Sequence, residues 1–147
     1  MKLRISLFLL TLALAVSSAL TAHASACNNS AIRGTYAFTI HGTVFLPDGS
    51  TLLIHGLAKA SFDGNGNISQ LDAVAANGLV PAGWRLSTGT YSVSADCTGT
   101  MTVSNGDQPP VNQQMIVSQS GNSIRAMVID PGFATTAEGE RLRAPKN

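Results

Sequence analysis

Charge is scarce in this chain. Only 12% of its 147 residues are charged, nine basic against eight acidic. A protein that grips nucleic acid carries a basic footprint, and this near-neutral composition has none. Aromatic residues are also thin, at 5%, with a single tryptophan. A core must therefore be built mostly from aliphatic and small side chains. Cysteine occurs only at Cys27 and Cys97, and two isolated cysteines exclude a cysteine-built zinc site. There is no Gly-x-Ser-x-Gly elbow, no Gly-x-Gly-x-x-Gly turn and no P-loop, so the common hydrolase, dinucleotide and nucleotide-phosphate signatures are missing. The only carboxylates close in sequence are Glu138 and Glu140, beside Arg141 and Arg143. That cluster reads as a solvated, charged end. After the first two dozen residues no stretch carries the apolar period of a helix.

The start of the chain is different. Met1-Lys2-Leu3-Arg4 gives a basic opening, and a largely apolar run follows from Ile5 to Val16. Small residues and the triplet Ala22-His23-Ala24 come next. This is the order of a secretory signal peptide over residues 1–24. The run is shorter than the roughly 20 residues a membrane-spanning helix needs. A second cut, after Ala26, would leave Cys27 at the N-terminus, as in a bacterial lipoprotein. Such signals usually carry Leu three residues before the cysteine, and Ala24 stands there. The expected compartment is therefore the periplasm or the medium, with a lipid anchor through Cys27 as the alternative. Lys2 and Arg4 leave with the signal, so nine basic residues become seven against eight acidic ones, a net charge of −1. Residues 25–147 are the length of one domain. In an oxidising compartment Cys27 and Cys97 are expected to pair. The bridge would close a loop of about 70 residues, worth about 4 kcal/mol in the chain-entropy model.

The mature sequence alternates apolar and polar residues between short turn signals, the all-β pattern. The expected strands are 34–45, 52–62, 68–76, 85–95, 99–104, 112–119, 123–130 and 134–142. Eight strands joined by short turns form a meander, which closes naturally into an up-and-down antiparallel barrel. A two-sheet sandwich is the alternative. The first hairpin can be set in register. Leu46-Pro47-Asp48-Gly49 suits a type I turn with glycine in the left-handed position. Leu46 then faces Ser50, Val44 faces Leu52, Ile40 faces Gly56, Phe38 faces Ala58 and Tyr36 faces Ala60. The opposite face sets His41 against His55 and Thr39 against Leu57. A one-residue slip would mix the faces. Which face points inward stays open at this level. Further along, Tyr91 and Val93 are expected to face Val103 and Met101 around a turn centred on Cys97.

Asp63-Gly64-Asn65-Gly66-Asn67 begins like a calcium loop. Ile68 then stands where that loop needs glycine, and Val74 where it needs glutamate. The segment is expected to be a hairpin turn. Gly34-Thr35-Tyr36, Phe62-Asp63-Gly64-Asn65-Gly66-Asn67, and Gly89-Thr90-Tyr91-Ser92-Val93 running to Asp96-Cys97-Thr98-Gly99-Thr100 together resemble the motifs of a group of uncharacterised secreted bacterial β-barrel proteins. The resemblance implies no activity. At the level of architecture it implies a calycin or lipocalin-like barrel, with Tyr36 where lipocalins carry the Trp of Gly-x-Trp.

Few residues are placed to do chemistry. His41 and His55, directly opposite, are the leading candidates for ligand binding, as half a metal site or an acid/base pair. A third ligand would have to come from Asp72, Asp130 or Glu138, and the sequence places none of them there. No metal or cofactor is therefore expected. Trp84 follows Pro81-Ala82-Gly83, where it could cap a barrel mouth. Arg33, Arg85 and Arg125 are isolated, and any that enters a lumen would anchor a ligand. Arg125, among Ile124, Ala126, Met127 and Ile129, is the candidate singled out. Three functions fit. The first is a binding module for a small apolar or amphipathic ligand. The second is a structural or surface-interaction protein with a filled barrel. The third is a barrel isomerase or hydrolase. Small residues such as Gly42, Gly56, Ala58 and Ala60, if inward, favour the first by leaving space.

Overall fold

A computed structural model describes residues 26–143; the signal segment expected at residues 1–24 lies outside the described residues. Eight strands follow a single 3₁₀ turn, Asn29–Ile32. They are β1 (Gly34–Phe45), β2 (Thr51–Phe62), β3 (Asn67–Ala76), β4 (Arg85–Val93), β5 (Thr98–Ser104), β6 (Val111–Val117), β7 (Ser123–Val128) and β8 (Phe133–Arg141). Each pairs antiparallel with its chain neighbours, and β8 returns to β1, so the sheet closes into a barrel. The sandwich is thereby set aside.

The β1–β2 register is the one read from the turn, with Tyr36 opposite Ala60 and His41 opposite His55. The amide of Leu46 donates to the Ser50 carbonyl, and that of Gly49 to the Leu46 carbonyl. Gly49 takes the left-handed conformation at φ 84°. Asp48 Oδ1 accepts from both the amide and the hydroxyl of Ser50, at 2.9 and 2.6 Å.

The β4–β5 hairpin differs from expectation. Tyr91 faces Met101 and Val93 faces Gly99, a shift of two residues along β5 that keeps the faces intact. The cause is a second copy of the first turn. Ser94 bonds to Thr98, and the amide of Cys97 donates to the Ser94 carbonyl. Asp96 Oδ1 accepts from the amide and hydroxyl of Thr98, at 3.0 and 2.7 Å. Cys97, at φ 67°, stands where the first turn has Gly49. The turn is therefore centred on Asp96.

The segment 63–67 is the expected hairpin turn. Asp63 accepts from the amides of Asn65 and Asn67 and from the Asn67 side chain. These bonds, the Asn67 side chain first, lower its pKa to about 2.

The Tyr36 face of β1 points inward. Tyr36, Phe38, Phe62 and Tyr91 pack together there, with Phe62 edge-on to Tyr36 at 5.4 Å and to Tyr91 at 5.0 Å between ring centroids. These aromatic residues fill one end of the barrel. The segment before β1 closes it: Cys27 and Ile32 are buried against the same cluster, and Cys27 is bonded to Cys97 as expected. Asn29 accepts from the Val93 amide at 2.7 Å and from the Tyr91 hydroxyl at 3.2 Å.

Arg141 completes the closure. Expected in a solvated charged end, it instead shares the inner phase of Ala137 and Gly139 and lies opposite Tyr36. Its guanidinium sits 5.0 Å from the centre of the Tyr36 ring and donates to the carbonyls of Ala31, Arg33 and Gly121. Tyr36 also donates to Gly121, and burial pushes its pKa up to about 12 against the opposing pull of Arg141. Gly121 is required here, because at φ 66° a Cβ would stand 2.0 Å from the Ala31 carbonyl. Gly139 serves in the same way, since a Cβ would strike the Phe38 ring at 2.5 Å.

Candidate ligand cavity

The opposite end is built differently. There the 46–50, 77–84, 105–110 and 129–132 connections surround an opening, and aliphatic inner residues such as Val44, Leu52, Ile54 and Val74 alternate with small or polar ones. The small or polar inner positions toward this end include Gly42 on β1, Gly56 and Ala58 on β2, Ala76 on β3 and Ser87 on β4. Gly42 and Gly56 project no side chain. The result is a cup of about 750 Å³ whose apolar floor and walls include Phe38, Ile40, Ile54, Met101 and Val103. That volume lies within the range of small-molecule sites. Ala58 lines the cup, whereas Ala60 belongs to the packed end.

Polar groups enter the wall at few places. Asp72 on β3 and Arg85 on β4 are register partners. Arg85 donates from Nε and Nη2 to Asp72 Oδ1 at 2.9 and 2.6 Å. Ser87 Oγ and Gln70 Nε2 donate to Asp72 Oδ2 at 3.1 and 3.2 Å. The Asp72 side chain is 5% exposed, while that of Arg85 is 42% exposed. The carboxylate is thus buried and fully bonded, and the guanidinium reaches toward the opening. Thr135, on β8, is 6% exposed, and its buried hydroxyl has no hydrogen-bond partner among the described residues. At the rim, Asp130 accepts from the amide and side chain of Asn112, at 2.7 and 2.9 Å. The Asn112 side chain is the chief cause of its lowered pKa.

The residues singled out in the sequence lie elsewhere. His41 and His55 do face each other, but on the outer wall and exposed. His41 Nε2 lies 3.2 Å from Thr136 Oγ1. Among the described residues no three His, Cys, Asp or Glu side chains gather as a metal site would require. Asp72 is inside, Asp130 is engaged at the rim, and Glu138 is outside beside Arg125. Trp84 is 60% exposed on the 77–84 loop, together with Leu79 and Val80, and does not line the cup. Arg125 is on the outer wall, 3.4 Å from Glu140 and 3.7 Å from Glu138. Both pairs are exposed and contribute little to stability. Arg125 borders a shallow outer groove with Gln114, Ile116 and Met127.

Of the three isolated arginines, Arg85 is the one that lines the cup. The sequence held the signal for this. Counting back by twos from Tyr91 puts Gly89, Ser87 and Arg85 on the inner face, and counting on from Ile68 puts Gln70 and Asp72 there. Likewise the flanking inner residues Ile124 and Ala126 put Arg125 outside.

Among the described residues no helix is long and apolar enough to cross a membrane. Comparison with protein-family models, curated proteins and solved structures found no match for this chain.

Proposed function

We propose that the chain is an exported binding protein that holds one small, largely apolar molecule in the open end of its barrel. The observation that carries this reading is the asymmetry of the interior. One end is filled and stitched shut, while the other is left as a cup of about 750 Å³. Protein interiors pack close to crystalline density, and unfilled apolar space costs stability. A purely structural barrel would gain by filling the cup. A hydrolase or isomerase would need a base and polar partners converging at the mouth, and the facing histidines are on the outer wall. The signal-like start and the disulfide support export to an oxidising compartment. With Cys27 in the bridge, its sulfur is not available for a lipid thioether.

The test is titration of the mature protein with the uncharged fluorophore N-phenyl-1-naphthylamine. It is paired with native mass spectrometry of protein recovered from its host's periplasm or medium. Expected are saturable one-to-one binding of the probe and a polypeptide that starts at Ser25 with its bridge intact. Val74→Trp, which fills the cup from a half-buried inner position, should weaken the probe by at least about tenfold. Absence of saturable binding, or binding indifferent to the filled cup, would overturn the proposal.

A further inference from the structure

Resting on the cup as a ligand site, we infer that its ligand is uncharged and carries a hydroxyl or carbonyl group, and that the cup discriminates against carboxylates. Two observations lead there. The first is the state of the charges. Among the described residues the cup is lined by one cation, Arg85, and two carboxylates, Asp72 and Asp130. Arg85 is already committed to Asp72 through two hydrogen bonds. An anionic head entering beside this pair would give up its hydration, find the guanidinium compensated, and meet a second carboxylate at the rim. Burying a charge is costly unless it gains a partner of its own. A cationic head fares no better at Asp72, whose two oxygens each already accept two hydrogen bonds.

The second observation is the set of donors that the pair leaves free. Arg85 keeps three N–H groups that Asp72 does not use. A neutral oxygen, of a hydroxyl or a carbonyl, can accept from these without the desolvation cost of an anion. The apolar floor at Phe38, Ile54 and Met101 takes the rest of the molecule.

The test uses displacement of N-phenyl-1-naphthylamine from the mature protein by a matched pair, 1-decanol and decanoate, with decanoate ionised. The alcohol should compete at a concentration at least about tenfold lower. Two variants separate recognition from simple partitioning. Arg85→Met combined with Asp72→Leu removes the free donors without stranding a charge. It should weaken decanol about three- to tenfold relative to the probe, the range of one hydrogen bond. Asp72→Asn leaves the Arg85 charge uncompensated and should strengthen decanoate by about tenfold or more. A parent protein that prefers decanoate would overturn the inference, as would a double variant in which the ratio of decanol to probe affinity is unchanged. If Asp72→Asn fails to fold, the double variant alone decides. A probe that binds while the ligand preferences fail sinks this inference only; a probe that does not bind sinks the cup itself.

Discussion

Replacing Arg85 by methionine isolates the electrostatics of the cup wall. The Asp72 side chain is 5% exposed and would keep only Ser87 and Gln70, two uncharged donors. Removing one partner of a fully buried pair costs about 3–5 kcal/mol, because the remaining charge is stranded. Arg85 is 42% exposed, so water entering from the mouth replaces part of what it supplied. That lowers the expected cost to about 2 kcal/mol. The double variant Asp72→Leu with Arg85→Met removes both charges and strands none. It loses only the acceptor of Ser87 and Gln70, about 1 kcal/mol, and regains part of that from the added apolar surface. The double variant should therefore be more stable than the single one. Urea denaturation with linear extrapolation measures this, with an unchanged slope as the check that the unfolded state is comparable. The reasoning fails if Arg85→Met lies within about 0.5 kcal/mol of the parent, or if the double variant falls below Arg85→Met.

Two further outcomes follow from the closed end and the turns. Replacing Cys27 and Cys97 together by serine should cost about 4 kcal/mol in urea denaturation, since the bridge spans 70 positions of the chain; a loss below about 1 kcal/mol would show that the packing of Ile32 and the Arg141 bonds suffice. Asp63, at about 2, and Asp48, Asp96 and Asp130 all titrate below the ordinary carboxylate range in the folded state. The stability they contribute is present above about pH 4 and is lost as pH falls toward about 2. The urea midpoint should drop across that window and drop less in Asp63→Asn, and a flat midpoint would contradict the assignment.

Much of the fold was legible because it is local. Pro47-Asp48-Gly49 fixes a register, and the register fixes two faces. The β4–β5 hairpin was misjudged by two residues because Ala95-Asp96-Cys97 forms the same turn with cysteine at the glycine position. The aspartate and the hydroxyl residue two places on, Asp48 with Ser50 and Asp96 with Thr98, are the shared signal. The candidate site was less legible. Residue type drew attention to the paired histidines, Trp84 and Arg125, whereas strand phase puts Asp72, Arg85 and Thr135 inside. Arg141 was hidden for another reason. Its partners are backbone carbonyls of Ala31, Arg33 and Gly121, and no side-chain pattern announces them.

The closed end also decides how the molecule can be held. Cys27 enters the fold at that end, bonded to Cys97, and the chain leaves β8 there too, with the Leu142 amide donating to the Thr35 carbonyl. An even number of antiparallel strands brings both ends of the domain to one side. A fusion partner or immobilising tag joined beyond Arg143 would therefore attach at the stitched base. The mouth would face the surrounding solution, so a surface-captured sample could be titrated without the support obstructing the cup.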